Sequence, residues 1–137
     1  MVYLVGRFAF TDVIVKKKAK YLRTKGGEFA LKVSIQVKAQ KYIERLNLIE
    51  RLPGVVKVYP KFGGEAPARI NEEKGRMDWR FEKMEAGEIR RISYILYSKV
   101  GIMGRLALPR AKAIYEKGGK IKKSYSNKCF FISSSDQ

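Results

Sequence analysis

The chain has 137 residues, of which 45% are hydrophobic and 31% are charged, and this length and composition are typical of one folded domain. Histidine is absent and Cys129 is the only cysteine, so an intramolecular disulfide and the common zinc-ligand spacings are excluded. The net charge of +17 is high for a domain of this size. It indicates either an acidic partner or a surface that serves solubility alone.

The excess positive charge lies at the two ends of the chain. Residues 1–43 and 89–137 carry net charges of +8 and +9, whereas residues 44–88 are neutral. No apolar window approaches the roughly 20 residues of a membrane span, and the apolar start is too short for a secretory signal. The bare sequence therefore suggests a soluble, cytoplasmic chain. Its few Asn and Gln residues and many Lys, Arg and Glu residues fit a thermophilic source.

Apolar residues alternate with a period of two along much of the chain, which predicts strands and no sustained helix. In chain order the predicted strands are 2–10, 13–21, 29–37, 45–52, 55–59, 77–81, 89–100, 106–115 and 121–132. At most, a turn or two of helix is expected within 39–48. The Gly-Gly pairs at 26–27 and 118–119 are predicted hairpin turns, because glycine adopts positive φ at little cost.

These elements predict an all-β fold, an immunoglobulin-like sandwich of about seven to nine antiparallel strands that forms a single domain over residues 1–137. We interpret residues 1–10 as an extra strand or as a relic of a preceding repeat, because residues 4–10 resemble residues 102–108. Coincidence between two basic hairpins is the alternative. Trp79 is predicted to lie in the core, and residues 133–137 to form a frayed end.

Without histidine, the usual nucleophilic and general-base sites cannot be built, so we expect no enzyme activity. The acidic residues at 72, 73, 82, 85 and 88 are interpreted as solvated loop charges that lie close to basic residues. Cys129 lies in an apolar run and is interpreted as a buried small hydrophobic residue. We expect no catalytic residues, no cofactor and no metal.

Two basic segments carry the strongest functional signal. In strand 13–21, Lys16, Lys18 and Lys20 share one face, whereas Lys17 has the parity of the apolar residues. An inward-pointing lysine blocks edge-to-edge pairing, so this strand is predicted to be a sheet edge. The second segment is a basic hairpin around residues 112–125, with tyrosines between its lysines. The candidate anion-binding or nucleic-acid-binding residues are Lys16, Lys18, Lys20, Lys32, Lys112, Lys120, Lys122 and Lys123.

The preferred interpretation is a non-catalytic interaction or structural module whose basic surface contacts an acidic partner. Because the first and last strands of a sandwich often lie close together, the two basic ends are expected to form one face. The alternative is a sequence-nonspecific nucleic-acid-binding β-barrel with aromatic stacking platforms. Exposure of Tyr21, Tyr115 and Tyr125 would favour the barrel, and their burial would favour a purely electrostatic surface. The sequence does not determine the oligomeric state.

From residue 50 onward the chain resembles an immunoglobulin-like repeat domain of archaeal cell-envelope and membrane-associated proteins. The residues that carry this resemblance are Glu50 to Pro53, Trp79, Ala86 to Glu88, Ile92 to Tyr94, Gly104 to Pro109, Tyr115-Glu116, and Ser126-Asn127 before Phe130-Phe131. The resemblance implies a β-sandwich and a location in the cell envelope, with a protein or an anionic envelope component as the partner. It implies no catalytic residues.

Overall fold

The structure is a computed structural model and describes residues 11–26, 29–54, 56–98 and 104–133, without the side chains of residues 104–106 and 131–133. The predicted strand at 2–10 lies outside the described residues, as do residues 134–137 of the predicted frayed end. The repeat relationship proposed for residues 1–10 therefore stays a prediction.

The described residues form eleven β-strands and no helix. They are β1 (Val13–Leu22), β2 (Phe29–Ala39), β3 (Arg45–Arg51), β4 (Lys57–Gly63), β5 (Arg69–Asn71), β6 (Arg76–Phe81), β7 (Ile89–Ser98), β8 (Gly104–Leu108), β9 (Lys112–Lys117), β10 (Lys120–Tyr125) and β11 (Cys129–Ser133). Residues 39–48, where at most a turn or two of helix was expected, contain none, and a short connection with an isolated bridge between Ile43 and Met84 joins β2 to β3.

Antiparallel pairing arranges these strands in three sheets. One has four strands in the order β1-β2-β7-β4, and a second has five in the order β10-β9-β3-β6-β5. A small third sheet pairs β8 with β11. As predicted, β1 is an edge strand, and Gly118 and Gly119 turn the β9–β10 hairpin with φ values of 59° and 78°.

The inner faces of the two large sheets form one hydrophobic core. Alternate residues of each strand point inward, so β2 and β7 contribute regular apolar rows while their intervening residues face solvent. Trp79 of β6 and Tyr94 of β7 place their ring centroids 6.0 Å apart across the core, and both side chains are buried. The indole Nε1–H of Trp79 donates a hydrogen bond to the carbonyl of Glu65. The prediction of an all-β sandwich with Trp79 in its core is confirmed, and the sheets do not close into a barrel.

The strand count exceeds the prediction because two predicted strands are each divided in two and β5 was not recognised. The strand predicted at 106–115 breaks at Pro109, which has no N–H to donate to a sheet ladder. The strand predicted at 121–132 breaks at Asn127, whose side chain bonds elsewhere. Its Oδ1 accepts from the backbone N–H of Lys17 and its Nδ2 donates to the Lys17 carbonyl, both at 2.9 Å. This amide therefore pairs with the free edge of β1 as a short strand would.

Candidate anion-binding surface

Lys16, Lys18, Lys20 and Lys32, which we call the lysine face, lie together on the outer surface of the four-stranded sheet. All four are exposed. The register of β1 with β2 places Lys20 directly opposite Lys32. Like charges opposite each other on one face of a sheet repel and destabilise the pair. Within the described part of the chain, no ion pair or hydrogen bond joins these ammonium groups to an acidic side chain.

The four-stranded sheet has an unusual composition. Its strands contain ten Lys and Arg residues and no Asp or Glu. Among the described residues, two of these cations have acidic partners outside their sheet: Lys17 in the core, and Arg90, which bonds Glu88 at 2.6 Å. The outer surface of this sheet therefore carries many cations, and the strands of the sheet contain no acidic residue that could act as their counterion.

The hairpin lysines, Lys112, Lys120, Lys122 and Lys123, lie on β9 and β10 of the other large sheet. The edge strand β10 runs beside β1, where the Ser124 hydroxyl donates to the carbonyl of Val13 at 2.8 Å. The two basic segments therefore adjoin, although they occupy different sheets. Lys122 bonds Asp12, and the Lys112 ammonium lies 6.0 Å from the ring centroid of Tyr125.

Asp12 links the edges of the two large sheets. Its carboxylate accepts hydrogen bonds from Lys117 at 3.0 Å, from Lys122 at 3.1 Å and from the hydroxyl of Tyr115 at 3.2 Å. Burial alone would raise the pKa of Asp12, but the hydrogen bonds and charges of the two lysines outweigh it and lower that pKa. Burial, reinforced by the Asp12 charge and hydrogen bond, raises the pKa of Tyr115 to about 12.

A buried ionic cluster lies between the two sheets. Lys17 points inward, as its parity predicted, and its Nζ lies 2.7 Å from Oε2 of Glu50 and 2.7 Å from the carbonyl of Pro109. The hydroxyl of Tyr94 donates to the same Oε2. The side chains of Lys17 and Glu50 are both fully buried, and Oε1 of Glu50 has no hydrogen-bond partner among the described residues.

Burial sets the protonation behaviour of this cluster. It raises the pKa of the Glu50 carboxyl, against the opposing effects of the Lys17 charge and of hydrogen bonds from Lys17 and Tyr94. Burial and the neighbouring carboxylate also raise the pKa of Tyr94 well above its ordinary value. Glu50 was not predicted to be the partner of Lys17. The signal was present, because Leu46, Leu48 and Glu50 share the inward parity of β3.

A groove of about 1250 Å³ crosses the outer surface of the four-stranded sheet. Cross-strand registers place Ser34 opposite Lys18, Ser93 opposite Ser34, and Gly63 opposite Ser93. These small residues form a low row over β2, β7 and β4, and the row ends at Lys18 on β1. A Cβ on Gly63 would overlap the Ser93 hydroxyl, so glycine is what allows β4 to approach β7 here.

Cationic and polar side chains border this row. Lys16, Gln36 and Arg91 are cross-strand neighbours on one side of it. On the other side lie Lys20 and Lys32, and their row continues through Ile95 on β7 to Tyr59 on β4. Past the β1 edge, the groove is continued by Arg110, Tyr125 and Asn127.

A second groove, of about 570 Å³, lies on the outer surface of the five-stranded sheet. Its cationic lining comprises Arg51, Arg76, Arg110 and Lys112, and Tyr125 also lines it. Arg76 is already paired with Asp78 at 2.8 Å, which also raises the pKa of the guanidinium. This groove therefore carries less uncompensated charge than the first.

The three tyrosines whose exposure was expected to distinguish a nucleic-acid-binding barrel from a purely electrostatic surface give a mixed result. Tyr115 is buried against Asp12, whereas Tyr21 and Tyr125 are 48% and 52% exposed. The Tyr21 ring packs edge-on against Phe29 with centroids 6.2 Å apart. Of these three described tyrosines, Tyr125 alone borders both grooves.

The remaining chemistry-bearing residues form no further cluster in the described ranges. No three His, Cys, Asp or Glu side chains there come close enough to hold a metal ion, and no helix long and apolar enough to cross a membrane occurs among them. Glu72, Glu73, Glu82 and Glu85 are exposed. Cys129 is half-buried against the core, its thiol donates to the carbonyl of Lys17 at 3.3 Å, and burial raises its pKa.

No protein-family model and no curated protein matches the sequence. Among solved structures, the chain is similar to the GH20 exo-β-N-acetylglucosaminidase from Vibrio harveyi in complex with N-acetylglucosamine, with a TM-score of 0.55 and 6% identity. An inactive mutant of the same enzyme gives a TM-score of 0.56, again with 6% identity. In both cases the match covers 85% of this chain and 18% of the enzyme, less than a fifth of its length. The likeness shows that this all-β fold also occurs as part of a longer chain.

Proposed function

We propose that the domain is a non-catalytic binding module whose lysine face holds an acidic polymer. The observation that carries this proposal is the four-stranded sheet, whose strands contain ten Lys and Arg residues and no Asp or Glu. Lys20 and Lys32 stand opposite each other without a counterion from those strands. A polyanion laid on this face would replace their repulsion with attraction and release condensed counterions.

The resemblance to archaeal envelope repeats supports the same role in a cell-envelope setting, with an anionic envelope component as the partner. The likeness to part of a longer Vibrio enzyme is consistent with a module that works beside other domains. A sequence-nonspecific nucleic-acid-binding protein is the second candidate, and the exposed Tyr125 beneath the Lys112 ammonium favours it.

The test measures affinity for immobilised heparin and for duplex DNA between about 50 and 200 mM salt. In the triple variant Lys16→Ser, Lys18→Ser and Lys20→Ser, we expect the slope of log affinity against log salt to fall by about two to three on DNA, at about 0.9 per lost phosphate contact. On heparin we expect a change in the same direction.

The control removes the same charge from elsewhere, with Lys41→Ser, Lys74→Ser and Lys83→Ser. These three lysines are exposed and lie in loops outside the strands. We expect this control to keep most of the wild-type slope, because long-range charge alone contributes little at these salt concentrations. Equal losses in the two triple variants would assign the binding to net charge and not to the lysine face. No binding of the wild type to either polymer at low salt would overturn the proposal.

A further inference from the structure

The groove that crosses the four-stranded sheet has a defined shape and a lining of hydroxyl, amide and guanidinium groups, in addition to its positive charge. We propose that it binds one extended chain of an acidic polysaccharide, laid across the strands. This inference rests on the proposed function and specifies its ligand. Its basis is the alignment of Ser34, Ser93 and Gly63 into a low row, which only the strand register creates.

The dimensions of the groove fit a single chain. Neighbouring strands lie about 4.8 Å apart, so a row over three strands spans about 10 Å. Same-side residues two positions apart along a strand are about 6.7 Å apart, so the bordering rows leave a narrow channel above the serines. The major groove of a DNA duplex alone is about 12 Å wide, so a duplex can rest on the bordering lysines without entering this channel.

The groups lining the channel match a sugar chain that carries negative charges. The hydroxyls of Ser34 and Ser93 and the amide of Gln36 can both donate and accept hydrogen bonds, as sugar hydroxyls require. Arg91 and Arg110 present guanidinium groups that suit carboxylate or sulfate oxygens. In the described ranges, none of these side chains is held by an ion pair with an acid.

Single-stranded nucleic acid is less well matched by the same lining. Its binding sites use aromatic rings on which successive bases stack. The described lining has one such ring, Tyr125, and it lies at the end of the groove beyond the β1 edge. The floor offers hydroxyls and glycine where stacking rings would be needed.

The test separates groove shape from charge with the double variant Ser34→Val and Ser93→Val. This variant removes two hydroxyls and fills the floor without changing any charge, and valine is favoured in strands. The probes are a heparin hexasaccharide and an oligothymidylate of similar charge. We expect hexasaccharide affinity to fall by about tenfold or more through two lost hydrogen bonds. The salt slope should stay at its wild-type value, because every cation is still present.

Asn47→Val is the control, since it makes a similar change on the outer surface of the five-stranded sheet. We expect it to leave hexasaccharide affinity unchanged. Gln36→Met removes another polar group from the groove and replaces the double variant if that variant does not fold. We expect Gln36→Met to weaken hexasaccharide binding severalfold.

Three other outcomes would contradict the groove inference, the proposed ligand class or the proposed function. If the lysine triple variant loses affinity but the serine variant does not, the groove inference is wrong and the lysine face stands. If the oligothymidylate binds more tightly than the hexasaccharide and depends on the same serines, the proposed ligand class is wrong. If wild type binds neither probe at low salt, both the groove inference and the proposed function are overturned.

Discussion

The two large sheets contain equal numbers of cations but place them in different surroundings. The strands of each sheet carry ten Lys and Arg residues, but only the five-stranded sheet also has acids, namely Glu50, Asp78 and Glu116. There Arg76 is paired with Asp78, and beside its edge Lys117 and Lys122 hold Asp12. On the lysine face the ammonium groups repel one another. A count of charge therefore does not distinguish the two sheets, whereas the pairing of those charges does.

Lys17 and Lys18 are neighbours on β1 and give the sharpest form of this comparison. Replacing Lys17 by Met leaves the Glu50 carboxylate buried without its cation, and we expect a loss of about 3 to 5 kcal/mol in the free energy of unfolding. Lys18→Met changes an exposed residue and should stay within about 0.5 kcal/mol of wild type. Urea denaturation of the two variants measures both effects.

The double variant Lys17→Met and Glu50→Leu removes both charges of the pair. It should regain most of the stability, apart from about 1 kcal/mol for the hydroxyl of Tyr94, which then has no acceptor. Equal and small effects of Lys17→Met and Lys18→Met would contradict the buried pair.

Asp12→Asn tests whether the hairpin lysines act as structural partners. Because the folded-state pKa of Asp12 is lowered, its stabilising contribution is present above about pH 4, near its unfolded pKa. That contribution is lost as pH falls through the lower folded value. We expect the variant to be less stable at pH 7 by about 1 to 2 kcal/mol, an amount limited by the partial exposure of the two lysines.

The difference between wild type and Asp12→Asn should shrink towards zero at acid pH, which thermal unfolding between pH 2 and pH 7 would show. A difference that does not vary with pH would mean that the Asp12 charge contributes nothing to stability. The ion pairs with Lys117 and Lys122 would then be incidental.

Lys20→Thr should give the smallest change in stability, and unlike the other variants it should stabilise the fold. It removes the repulsion with Lys32 and places a β-branched residue in a strand, so we expect stability to rise by about 0.2 to 1 kcal/mol at low salt. Salt screens exposed charges, so part of the gain should disappear at about 1 M salt. A variant that is less stable than wild type at low salt would contradict the proposed strain on the lysine face.

Part of the fold and site was predictable because strand periodicity acts locally. Alternation assigned Lys16, Lys18 and Lys20 to one exposed face and Lys17 to the core, and that inward lysine correctly indicated an edge strand. The Gly118-Gly119 turn and the buried Trp79 were predicted for similar reasons. These properties depend on neighbouring residues and on the two-residue period, which the sequence displays directly.

The partners of these residues depended on the tertiary structure, because each joins segments that are distant in the chain. Alternation cannot show that Lys17 meets Glu50, that Asp12 takes up Lys122, or that Asn127 pairs with the edge of β1. The groove likewise depends on the registers of β2, β7 and β4, since a shift of one residue would turn its serines away from solvent. The sequence by itself therefore determined which side chains face inward and outward. Only the packing and registers of the sheets decided which of these charges are paired with an acid and which stand beside other cations.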